Sequence, residues 1–143
     1  MVNIKLMAFF IIYLFSGFSY SKEVKNIENL KYDIVDEGRS KVEQEGCALF
    51  SPTKEQLIDY FNKATRMDEG GSIGHQYYSP CITVGKVTFE DGNSVSFTLQ
   101  SSGFTSGNFG NKEAIYFFHK DNKWYDPFEC TYAMGDESEP GCD

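Results

Sequence analysis

The sequence predicts an α+β domain: an antiparallel β-meander of three to four strands with one main helix packed on one face, tied by disulfides. Three observations predict it. Two runs of alternating apolar and polar residues flank Glu90-Asp91-Gly92-Asn93, and Asp-Gly between such runs is a strong hairpin signal. Helix-start chemistry at Ser51-Pro52-Thr53 precedes an amphipathic stretch. The four cysteines Cys47, Cys81, Cys130 and Cys142 are even in number and well separated, the pattern of a disulfide framework in an exported chain.

The chain begins with a segment of a different kind. Lys5 supplies one positive charge, and Leu6 to Phe15 run apolar. A basic start before a short apolar core is the pattern of a secretory signal peptide, and the run is shorter than the roughly 20 residues a membrane-spanning helix needs. Small side chains at Ser19 and Ser21 place the expected cut near Ser21, making residues 1–21 the leader. Residues 22–46 then form a polar N-terminal segment. Within it Val24, Ile27, Leu30 and Ile34 recur at three- and four-residue spacing, which reads as a helix stripe or equally as a loosely docked arm.

Residues 47–143 are expected as a single domain with an acidic C-terminal tail. Ser51 before Pro52 fits an N-cap with proline at the first helical position, and Thr53 to Gln56 fits a capping box. Leu57, Ile58, Phe61 and Ala64 then line one face, which predicts a helix from about Pro52 to Met67. Gly70 to Pro80 reads as a loop. Strands are predicted from Ile82 to Phe89 and through Val95, Phe97 and Leu99. The Ser/Gly-rich stretch from Ser101 to Asn111 reads as a long loop. Ala114 to Phe118 predicts a third strand, and Trp124-Tyr125 begins a fourth that Pro127 stops.

Charge narrows the function classes. The chain carries a formal net charge of −8. Residues 1–21 hold one lysine and no acid, so the mature part carries −9. Phosphates would be repelled, which argues against nucleic acid, while a basic protein partner would be attracted. No second long apolar run follows the leader, so no stable membrane anchor is expected in the mature form. Periplasmic or secreted localisation is therefore expected. Four cysteines allow three pairings, and all three stay open here.

Two surfaces are candidates for partner binding. One is the loop carrying Ser102, Gly103, Phe104 and Phe109: small residues allow close backbone approach, and the phenylalanines would either serve as aromatic anchors or equally tuck under the loop into the core. The other runs from Trp124 through Asp126 to Glu129, where the only tryptophan adjoins acids; Trp124 reads alternatively as a core side chain at a strand end. The tail carboxylates Asp136, Glu137 and Glu139 would steer a basic partner. No catalytic residue, metal ligand or cofactor is assigned, although His75, His119 and Asp126 are the groups an enzyme would have to use.

Ser102-Gly103 lies in the kind of Ser/Gly loop that periplasmic lysozyme inhibitors insert into the cleft of a basic enzyme, a match of two residues. In size, acidity and expected compartment the chain resembles immunity proteins of contact-dependent toxin systems. The chain is assigned to neither family. The expected function by analogy is an exported binding or inhibitory protein, an immunity protein that blocks a toxin or cell-wall hydrolase. The alternatives are a structural or envelope-associated interaction module and, behind it, a periplasmic hydrolase.

Overall fold

The computed structural model describes residues 23–32, 38–111 and 113–132. In chain order the elements are β1 (Val24–Lys31), α1 (Lys41–Cys47), α2 (Lys54–Lys63), β2 (Thr65–Met67), α3 (Gly71–Gln76), β3 (Ile82–Phe89), β4 (Ser94–Gln100), β5 (Phe104–Phe109) and β6 (Ala114–Phe118), followed by a 3-10 turn at Glu129–Thr131. The strands form one antiparallel six-stranded sheet in the order β1-β3-β4-β5-β6-β2. The mixed α+β class is as expected, but the sheet has six strands rather than three or four.

The Asp91-Gly92 hairpin forms where alternation places it. Gly92 has φ +85°, and the Asn93 N–H donates to Asp91 Oδ1 at 2.9 Å, an Asx turn that closes the link between β3 and β4. Val87, Phe89, Val95, Phe97 and Leu99 all point to the buried face, as a two-residue period requires.

β1 corrects the helix stripe. Register shifts fall between Val24 and Asn26 and between Glu28 and Lys31, and Asn29 takes φ 56°. Each bulge inserts one residue and shifts the phase of the strand. Val24, Ile27 and Leu30 therefore return to the core face at a spacing of three, which imitates a helix in the sequence. Ile34 lies outside the described residues.

α2 begins at a capping box on Thr53, not on Ser51. Thr53 Oγ1 accepts from the Gln56 N–H at 3.1 Å, and Gln56 Oε1 accepts from the Thr53 N–H at 2.8 Å. The helix stops at Lys63 rather than Met67, because Ala64 turns extended at ψ 136° and Thr65–Met67 pairs with β6 instead. A second capping box, Ser40 with Glu43, starts α1, a helix that the polar composition of 22–46 concealed. The expected loop from Gly70 to Pro80 likewise contains α3.

The expected loop from Ser101 to Asn111 contains β5, paired on both sides. Its small residues serve packing. A Cβ on Gly107 would lie 2.6 Å from Val95 Cγ1, and one on Gly103 (φ +87°) would lie 2.1 Å from the His119 carbonyl oxygen. Gly103 thus closes a tight turn that only glycine accommodates. The strand expected at Trp124-Tyr125 does not form. Trp124 lies in a bend and Tyr125 in irregular backbone, and the indole N–H is held from the side by the Ser101 carbonyl rather than by a ladder.

One face of the sheet is covered by α2. Leu57, Tyr60 and Phe61 are buried there, and the Phe61 ring meets Phe97, Phe117 and Phe89 at centroid distances of 4.9, 5.5 and 6.5 Å. On the other face, α3 sits over the rings of Phe104 and Tyr116, against which Gly74 and Gly70 lie too close for a side chain. A disulfide joins Cys47 at the end of α1 to Cys81 just before β3, with the Cα atoms 4.8 Å apart. Cys130 is disulfide-bonded as well, and Cys142 lies outside the described residues. Among the described residues no helix is long and apolar enough to cross a membrane.

Candidate functional site

The end of the sheet where β3 begins and β4 ends carries a cleft of about 170 Å³. Its walls come from three stretches of chain. Tyr77 follows α3, Ser102 lies in the β4–β5 turn, and the rest comes from the segment after β6, from Lys120 and Asn122 through Trp124 and Asp126 to Glu129 and Tyr132.

A directed chain of hydrogen bonds supports this end. The Ser101 hydroxyl donates to Asp126 Oδ1 at 2.6 Å. Each hydroxyl has a single proton, so Ser79 Oγ donates to Ser101 Oγ at 2.6 Å and accepts from the Cys81 N–H at 3.2 Å. Asp126 Oδ1 also accepts from the Phe128 N–H at 3.0 Å, and Oδ2 accepts from the Tyr132 hydroxyl. Such a chain polarises along its length, with the negative charge of Asp126 at its foot. The Trp124 indole N–H donates to the Ser101 carbonyl at 2.7 Å, and the Trp124 ring meets those of Phe50 and Tyr60 at 6.0 and 5.3 Å.

Burial, reinforced by the bond to Asp126, holds the Tyr132 hydroxyl above the usual tyrosine range. Burial does the same to Tyr60, whose hydroxyl bonds to the Gly103 carbonyl at 2.9 Å and to Thr105 Oγ1 at 2.8 Å. Ser102 is 3 % exposed, and its Oγ has no hydrogen-bond partner. Ser101 is fully buried, so its bond to a carboxylate holds the turn in place and does not present a nucleophile.

Three residues that sequence singled out for partner binding, Ser102, Trp124 and Asp126, are brought together here. Gly103 adjoins them as the turn itself, and its carbonyl accepts from the His119 N–H at 3.1 Å. Phe104 is 6 % exposed and stacks on Tyr116 with centroids 6.0 Å apart. Phe109 is partly buried against the core, with the Arg66 guanidinium 5.3 Å over its ring. Neither phenylalanine belongs to the cleft lining. Asp136, Glu137 and Glu139 lie outside the described residues, as do residues 1–21.

No family model, curated protein or solved structure matches the chain. The site therefore has to be read from its own chemistry. Sequence reasoning missed Tyr77, Ser79 and Tyr132. The one local signal available was Asp126 before Pro127, the start of an Asx turn that ties Asp126 to Phe128. Sequence reasoning also missed Gly70-Gly71-Ser72-Ile73-Gly74, which fits the Gly-x-Ser-x-Gly pattern of a nucleophile elbow. That elbow needs its serine on a strained strand-to-helix turn. Ser72 lies exposed within α3, and among the described residues Asn29 is the non-glycine residue at positive φ. Gly70 and Gly74 serve the rings beneath α3 instead. Among the described residues no group of three His, Cys, Asp or Glu side chains converges as a metal site.

Exposed large apolar side chains adjoin residues of this region in sequence. Tyr78, next to Tyr77, is 63 % exposed, and Tyr125, between Trp124 and Asp126, is 64 % exposed. Leu49 is exposed too, one residue from Phe50, whose ring touches Trp124. Gly46 lies against Phe128 and Pro127, so the end of α1 belongs to the same neighbourhood. Exposed aromatic and aliphatic side chains and a polar, partly acidic depression thus occur on the same stretches of chain, a combination that suits adhesion to another molecule.

Proposed function

We propose that the mature chain works outside the cytoplasm, in the periplasm or as a secreted protein, and binds a basic protein partner. In this reading it acts as an immunity protein that occludes a toxin or cell-wall hydrolase. The observation that carries the reading is a cleft lined by Asp126 and Glu129 together with exposed Tyr78 and Tyr125, which directly adjoin the lining residues Tyr77, Trp124 and Asp126 in the chain. Exposed aromatic side chains are the usual anchors of an interface. A net charge of −8 for the whole chain favours and accelerates encounter with a basic surface. The basic, then apolar start of the chain supports export, and the disulfides fit an oxidising compartment.

The test uses residues 22–143, oxidised and tagged, to capture partners from envelope extract and secreted toxin fractions, with mass spectrometric identification. A basic hydrolase or toxin, released at high salt and inhibited at one-to-one stoichiometry by the pure protein, is the expected result. Capture of envelope proteins with no enzyme inhibited would replace this reading with an interaction module. Recovery of no specific partner would end it.

A further inference from the structure

We infer that the cleft is a subsite for one guanidinium group, the arginine side chain of a partner protein. The inference rests on the binding reading above for the origin of that side chain, and on the cleft alone for its chemistry. Size comes first. A cleft of about 170 Å³ is smaller than the roughly 300–1,000 Å³ that hold a drug-sized ligand or cofactor, and it suits a single long side chain.

The walls then select the group. Tyr77, Trp124 and Tyr132 line the cleft, and aromatic surfaces attract a flat, weakly hydrated cation. Two carboxylates, Asp126 and Glu129, stand against one ammonium, Lys120, so the local charge is acidic like the chain as a whole. Asp126 already accepts three protein donors, and a carboxylate has about four lone-pair positions. It is thus a fixed, oriented anion with room for one more donor. Ser102, a lining residue, supplies a hydroxyl without a partner. A buried hydroxyl left unpaired is unfavourable, and a guanidinium carries five N–H donors in a planar fork, more than the Asp126 carboxylate alone has room for.

The only tryptophan lines this cleft, so its emission reports occupancy directly. The probes are N-acetyl-arginine amide and N-acetyl-citrulline amide, which share a shape and differ in charge, titrated into oxidised residues 22–143 at low salt. The arginine probe is expected to change Trp124 emission saturably, and the citrulline probe to bind at least several-fold more weakly. Glu129→Gln should weaken the arginine probe by roughly three- to five-fold, the size of a partly exposed ion pair. Lys120→Gln should strengthen it. Both side chains are exposed, so neither change threatens the fold. Equal binding of the two probes, no emission change with either, or indifference to Glu129→Gln would overturn the subsite.

The two proposals fail separately. An inhibited partner whose affinity ignores Glu129→Gln keeps the binding function and removes the subsite. Charge-selective binding of the arginine probe with no inhibited partner keeps the subsite and removes the inhibitory function.

Discussion

The sheet face under α2 and the sheet end that carries the cleft are both buried, yet different forces hold them. Under α2 the contacts are rings and aliphatic chains: Phe61 against Phe89, Phe97 and Phe117, with Leu57 and Leu99 fully buried nearby. That attraction is non-directional and scales with apolar area. At the cleft the contacts are a series of hydroxyls ending on one carboxylate, whose strength depends on angle and distance. The first region determines whether the chain folds. The second determines where Trp124 and the stretch from Asp126 to Tyr132 sit once it has folded. A binding site gains from the second kind of support, because hydrogen bonds fix positions that apolar packing leaves adjustable.

The contrast can be broken most directly from the apolar side. Phe61→Ala should cost about 3–5 kcal/mol, the range for a buried phenylalanine truncated in a core, measured as a shift in the urea midpoint. A loss below about 1 kcal/mol would show that this face repacks and does not dominate stability. From the polar side, Asp126→Asn replaces one acceptor oxygen with a donor and leaves at least one of three donors unmatched. The expected cost is about 1–3 kcal/mol, with a shift in Trp124 emission and an unchanged far-ultraviolet circular dichroism spectrum. A loss as large as that of Phe61→Ala would merge the two regions into one cooperative unit.

The smallest effect sharpens the comparison by pH. The fold raises the Tyr132 value above its unfolded one by burial and by the bond to Asp126, so the fold favours the protonated hydroxyl. The stability this contributes is present in full below the unfolded value near 10 and is lost as pH rises through the folded one. Tyr60, raised by burial, acts in the same direction. Tyr132→Phe should therefore lose stability less steeply than the parent above about pH 10. The difference should stay under the one-proton ceiling of about 1.4 kcal/mol per pH unit, because solvent reaches part of Tyr132. Parallel slopes would remove Tyr132 from the proton balance of the native state.

The sequence was legible where local chemistry and tertiary structure agree. Asp91-Gly92 marks its own turn, the capping box at Thr53 marks the start of α2, and alternation marks β3 and β4. It misled where packing overrode composition. The bulges in β1 give Val24, Ile27 and Leu30 a helical spacing, and Gly107 in β5 and Gly103 in the turn before it are glycines because Val95 and the His119 carbonyl leave no room, not because the chain is loose. Trp124 reads as strand material but serves as a side-on cap, bonded through its indole to Ser101. At the cleft, Ser102, Trp124 and Asp126 were visible as individual residues. Their partners Ser79 and Tyr132 were not, because only the folded topology brings the three stretches of chain together.

The sheet order has a consequence for assembly. β1 and β2 come first along the described chain, and they close the two opposite borders of the sheet. Synthesis therefore delivers both borders before any interior strand exists for them to pair with, and the middle of the sheet is made last. The connection between those borders is α1 and α2, so it has to bridge the width of the sheet. The bridge is also the cover of the apolar face, which means the sheet reaches its full width only as its own roof comes into place.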